Sequence, residues 1–101
     1  MNPCQCRLLV VGSAKDLKVF GEREDWPAAF TEVEPLELAA TRQSWQFSSP
    51  NPPLAFLRLL AARWSLLTFL VDYDTGRVKG LACWRGGAQE HHQVVYRGGG
   101  A

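Results

Sequence analysis

Three cysteines and two histidines are the side chains of this sequence that most readily serve as metal ligands or nucleophiles: Cys4, Cys6, Cys83, His91 and His92. Structural zinc sites favour two cysteines separated by two residues, because both sulfurs then reach one ion at about 2.3 Å. Cys4 and Cys6 are separated by one residue, and adjacent histidines on a strand point to opposite faces. The sequence offers no evident acidic partner for a cysteine–histidine nucleophile. We therefore expect free thiols in or near the core, and neither a metal site nor a cofactor.

An Asp-Thr-Gly triplet at Asp74–Gly76 matches that of aspartic proteases, and a chain of 101 residues suits one subunit of a dimeric viral protease. That chemistry needs two aspartates that share a proton inside an apolar loop. Here Asp72, Tyr73 and Arg77 flank the triplet, which lies where a hairpin turn needs Asp and Gly. We interpret it as a turn, and we expect no catalytic residues and no enzymatic activity.

The length and composition of the chain favour one folded domain. Its 101 residues, 47% of them hydrophobic, suit a single domain at positions 1–97. Gly98–Ala101 is too rich in glycine to order itself, so we expect a disordered tail. The Arg-Gly-Gly at 97–99 is similar to the end of a ubiquitin-like modifier, but a β-grasp fold begins with a hairpin, whereas here a helix follows the first strand.

Three features of the sequence indicate a cytoplasmic protein. The longest apolar run, Ser65–Val71, is far shorter than the ~20 residues that span a bilayer, and positions 1–11 are typical of a strand rather than of a signal peptide. Three cysteines cannot all pair within one chain, which favours a reducing compartment. We expect no membrane association.

The net charge of +1 conceals a difference between the two halves of the chain. Residues 1–41 carry four basic and seven acidic side chains, and residues 42–101 carry seven basic and three acidic ones. The basic half could attract an anionic partner to one side of the domain. Its cations are not clustered in the stripe that is typical of nucleic-acid-binding proteins.

The elements that must position these residues begin with a strand. The aliphatic run Cys6–Val11 predicts a central strand, after which Ser13 caps a short helix that Gly21 can end. We interpret positions 22–34 as a loop with one helical turn. Weak alternation at 36–40 and clear alternation at 45–47 predict a hairpin that turns at 42–44.

The second half of the chain predicts one helix and three strands. Asn51 and two prolines open a helix whose apolar stripe recurs at three- and four-residue spacing: Leu54, Leu57, Leu60, Ala61 and Trp64. Strands follow at 66–73, 77–84 and 91–96, with turns between them.

This order of elements predicts an α+β fold, the ferredoxin-like split βαβ sandwich, with one or two extra C-terminal strands. We expect a mostly antiparallel sheet whose first and third strands are central and parallel, with both helices on one face. The other face of the sheet would then be open to water, to a partner or to a second copy.

Three blocks of residues support a family resemblance. They are Cys4, Arg7–Leu8 and Val10 with Gly12–Leu17 and Phe20; Trp45–Phe47 with Ser49–Pro50 and Pro52–Pro53; and the hairpin Leu67–Gly80 with its centre Phe69–Asp74. On these blocks the chain resembles the ferredoxin-like domain of the YubB-like proteins of plasmids and phages. The resemblance implies this fold in a bacterial protein, and it implies no activity because the family has none established.

Our functional hypothesis is a non-enzymatic protein-interaction or self-association module of mobile-element accessory type. The partner would bind the open sheet face or an edge strand. The candidate partner-binding residues are Trp45, Tyr73, Arg77, Lys79, Trp84 and Arg85. The alternative is a nucleic-acid-binding module in which such aromatic side chains stack on bases beside the basic ones. Neither hypothesis includes a small-molecule substrate.

Overall fold

The computed structural model describes residues 3–95, and the predicted tail and the end of the predicted domain at 96–97 lie outside them. In chain order the elements are β1 Cys4–Val11, α1 Ala14–Arg23, a short 3-10 helix Trp26–Ala29, β2 Thr31–Leu38, β3 Arg42–Ser49, α2 Leu54–Arg63, β4 Thr68–Asp74, β5 Val78–Arg85 and β6 Ala88–Val95. None of the helices within 3–95 is long and apolar enough to cross a membrane.

The strands form one six-stranded sheet in the order β2-β3-β1-β4-β5-β6, and every neighbouring pair is antiparallel. The predicted α+β class is confirmed. The expectation of a parallel first and third strand is wrong, because Cys6 lies opposite Phe47 in an antiparallel register. The helical crossover gives β2 the direction of β1, and the tight β2–β3 turn then reverses β3.

The core lies between the helices and one face of the sheet. Along β1, alternate residues are buried, so Leu8 and Val10 point into the core while Arg7 points to the other face. Phe20 of α1 contacts Phe69 of β4, with ring centroids 5.6 Å apart. The buried residues of α2, namely Leu57, Leu60 and Ala61, belong to the same cluster. The predicted apolar stripe of α2 is therefore the face that packs on the sheet.

Several predicted boundaries are wrong. Helix α1 passes Gly21 and ends at Arg23, and β2 already begins at Thr31, within the segment interpreted as a loop. The β2–β3 turn is at 39–41. Pro53, and not Asn51, has the N-cap position of α2. The helical turn expected within 22–34 is present as the short 3-10 helix, whose Trp26 is a core residue that packs against Trp45 and Phe47.

Glu24 joins the C-terminal ends of the two helices. Its carboxylate accepts hydrogen bonds from Nε and Nη2 of Arg63, at 3.0 and 3.2 Å, and from Nε1 of Trp64, at 2.7 Å. The hydrogen bond from Arg63 is the main reason why the pKa of Glu24 is lowered, while partial burial opposes it. The charged form of Glu24 is therefore stabilised by folding.

We predict that Glu24→Gln lowers the free energy of unfolding by about 1 kcal/mol at neutral pH, because the amide cannot bind the guanidinium as a carboxylate does. Since folding lowers this pKa, the contribution is complete above the ordinary glutamate pKa of about 4.3 and is lost as pH falls through the lowered value. Urea titrations at about pH 7 and about pH 3 test this. The exposed Glu22→Gln is the control; an equal loss for Glu24→Gln at both pH values would contradict the prediction.

Candidate functional site

Two of the predicted partner-binding aromatics lie in the core. Tyr73 is 2% exposed and Trp84 is 5% exposed, both on the face that the helices cover. Trp45 is partly buried on the same face and contacts Trp26, with centroids 5.1 Å apart. A ring must be accessible to stack on a base. The hypothesis that Tyr73 and Trp84 line the open face is therefore wrong.

The predicted basic residues are exposed, but the structure separates them from those aromatics. Lys79 and Arg85 alternate with Gly80 and Trp84 along β5, so they point to the open face. Arg77 precedes β5 in the exposed turn. The predicted set of partner-binding residues therefore combines basic side chains of the accessible surface with aromatic side chains of the opposite face.

The open face carries alternating charges rather than a basic patch. Arg7 lies directly opposite Asp72 of β4, and Asp74 of β4 lies opposite Lys79 of β5. These four side chains line a shallow cleft of about 510 Å³. Opposite charges at facing positions stabilise a sheet and neutralise each other's field. The face therefore lacks the single-sign field that attracts a polyanion.

The cysteines are divided between the two faces of the sheet. Cys4 and Cys6 are buried beneath the helices with their sulfurs 3.7 Å apart, and Cys83 is half-buried on the open face. Desolvation raises the pKa of both Cys4 and Cys6, which keeps these thiols protonated. A protonated thiol is a poor nucleophile and a poor ligand. Within residues 3–95, no cluster of three or more His, Cys, Asp or Glu side chains could hold a metal ion.

Tyr73 crosses β5 and holds the outer strand β6. Its cross-strand neighbour on β5 is Gly80, and a Cβ at that position would collide with the tyrosine ring and hydroxyl. The ring therefore passes over Gly80, and its hydroxyl lies 2.7 Å from Nε2 of His91 and donates to Oε1 of Gln93 at 3.1 Å. Burial raises the pKa of Tyr73, so the phenol remains a donor.

Trp84 makes a second link of the same kind. Its indole Nε1 donates to Oε1 of Gln89, at 2.9 Å. The ring is buried on the sheet, and the strand that it binds is exposed at every position. Two of the three aromatics that were predicted to bind a partner, Tyr73 and Trp84, therefore fix the position of the strand at the sheet edge.

The outer strands β2 and β6 differ in how they present their free edges. Strand β2 contains Pro35, two register shifts against β3, and Glu32 with a φ of 56°. Such irregularities prevent another strand from pairing. Strand β6 instead pairs with β5 without a shift from Ala88 to Val95, and it contains neither proline nor lysine. The sequence prediction began this strand three residues late, although the two glycines at 86 and 87 indicated a two-residue hairpin turn.

Comparisons of the chain with models of protein families, with curated proteins and with solved structures found no match.

We predict that Gly80→Ala lowers the free energy of unfolding by about 2 kcal/mol, because the new methyl group displaces the Tyr73 ring. Gly21→Ala in α1 is the matched control, since nothing lies within 4 Å of its added Cβ. There the same change should stabilise the protein by about 0.7 kcal/mol. Urea unfolding measures both values; a neutral Gly80→Ala would contradict the packing described for Tyr73.

Proposed function

We propose that this chain is a non-enzymatic protein-interaction module that adds a partner's strand to the outer edge of β6. The observation that supports the proposal is the contrast between the two edges, of which only β6 is regular over its whole length. The unpaired N–H and C=O groups of a regular edge form a template for another strand.

The side chains of β6 suit such pairing. Val94 and Val95 are 66% and 68% exposed, and β-branched residues favour the half-buried surface of a paired strand. Pairing with another strand would cover them. The links from Tyr73 and Trp84 hold β6 in place before a partner arrives, which reduces the entropy lost on binding.

A protein partner accounts for this surface better than a nucleic acid does. The alternative function required accessible aromatics beside basic side chains, and Tyr73 and Trp84 are buried. Arg7 and Lys79 of the open face each lie opposite an aspartate. A strand partner needs neither a positive field nor exposed rings, since the main chain provides most of the binding.

We also propose that β1 to β4 with the two helices form a ferredoxin-like unit, to which β5 and β6 add a hairpin. The strand order β2-β3-β1-β4 within the sheet supports this. The added hairpin places the free edge one strand beyond β5, which α2 contacts. Membership of the YubB-like family and a mobile-element accessory role in the cytoplasm remain proposals that accompany this fold.

We predict that a displayed library of short random peptides yields extended sequences that bind at β6. Adjacent residues of an edge strand direct their N–H groups alternately inwards and outwards. Of Val94→Pro and Val95→Pro, one should therefore retain wild-type stability and still weaken peptide binding about fivefold, because it removes one outward hydrogen bond of about 1 kcal/mol. Urea unfolding and titration calorimetry measure the two effects.

Leu38→Lys is the control for this experiment, because Leu38 is an apolar residue, 63% exposed, on the irregular edge strand β2. It should leave peptide binding unchanged. Peptides that bind both proline variants as tightly as the wild type would contradict a binding site at β6.

A further inference from the structure

We propose that the strand added at β6 is β6 of a second copy, antiparallel, with the two-fold axis at His91. This inference rests on the proposed function, and it names the partner and the register. The two sheets would become one continuous sheet across both copies, with an isologous contact in which each strand presents the same residues to the other.

Geometry restricts the registers that are available. A two-fold axis perpendicular to the sheet keeps the helices of both copies on one side, so residues that face each other must point to the same side. Side chains alternate along a strand, and therefore even-numbered positions of β6 face even-numbered positions of the second copy. The axis must then pass through a single residue, and the choices nearest the centre of β6 are His91 and His92, followed by Glu90 and Gln93.

Charge complementarity selects His91 among these four, since an axis at Gln93 would place His92 opposite the apolar Val94. An axis at Glu90 would place two carboxylates opposite each other, and an axis at His92 would place Glu90 opposite the apolar Val94. An axis at His91 places each Glu90 opposite His92 of the other copy, twice by symmetry. An imidazole N–H can donate to a carboxylate in either protonation state. Facing pairs of this kind stabilise antiparallel strands, whereas like charges destabilise them.

At the axis, His91 would face His91 of the second copy, and each imidazole Nε2 is already held by the Tyr73 hydroxyl. Two further facing pairs are compatible in this register. On the open face, Ala88 would lie opposite Val94 of the second copy, so that an exposed valine is covered by an apolar neighbour. On the helix side, Gln89 would lie opposite Gln93, and these amides can hydrogen-bond each other. The side chains of Gln89 and Gln93 are already held by Trp84 and Tyr73. The edge is thus self-complementary in apolar, polar and charged pairs.

Charge reversal tests the register. Glu90→Lys would place lysine opposite histidine, and His92→Glu would place two glutamates opposite each other. Each variant alone should weaken dimerisation about tenfold. An equimolar mixture of the two should form a heterodimer, because one facing pair is then lysine with glutamate and the other histidine with glutamate. The double variant should dimerise to within about threefold of the wild type. Sedimentation equilibrium measures all four samples.

Two controls accompany this test. Glu34→Lys reverses a charge on β2 and should leave dimerisation unchanged, because Glu34 lies on the other edge. Glu90→Gln removes the charge without reversing it. It should therefore weaken dimerisation by a smaller factor than Glu90→Lys does. Urea unfolding confirms that each variant retains its fold.

The outcomes distinguish this inference from the proposed function. A chain that stays monomeric at high concentration but binds peptides at β6 would overturn the inference and leave the interaction edge standing. If the single variants weaken dimerisation and neither the mixture nor the double variant restores it, the register centred on His91 is overturned. A chain with neither dimerisation nor peptide binding at β6 would overturn both.

Discussion

The architecture of the outer half of the sheet depends on one steric constraint, the missing side chain at position 80. Because Gly80 has no Cβ, the ring of Tyr73 lies across β5 and its hydroxyl reaches His91 and Gln93 on β6. One residue of β4 thereby links three successive strands. With any other residue at position 80, Tyr73 would be displaced and β6 would lose this link to the interior of the sheet.

This link explains how β6 can be well held and fully exposed at once. No residue of β6 is buried, so hydrophobic burial contributes little to its position. Its stability comes from the ladder with β5 and from the hydrogen bonds of Tyr73 and Trp84. These side-chain hydrogen bonds form on the helix side of the sheet and do not use the outward main-chain groups of β6. The strand is therefore held in place while its edge stays accessible, as a strand partner requires.

Sequence patterns predicted the elements better than their faces. The aliphatic run of β1 identified a central strand, and the apolar stripe of α2 identified residues that enter the core, because a wrong assignment of that stripe would expose many large side chains. The face of Tyr73 was also readable, since Asp72 and Asp74 alternate with it and require water. In β6 the polar residues on both faces give no such preference, so its register depends on the glycine turn and on Trp84. Of the irregularities of β2 that decide between the edges, Pro35 is visible in the sequence, whereas the two register shifts arise only when β2 pairs with β3.

The difference between the two edges also determines how far association can proceed. If β2 and β6 were both regular, β6 of one copy could pair with β2 of the next, and this head-to-tail contact would leave new free edges and propagate into a fibre. Pro35 and the register shifts of β2 oppose that contact. A two-fold contact between β6 strands consumes both regular edges and leaves only irregular ones outside. The asymmetry of the sheet therefore favours a closed pair over an open polymer.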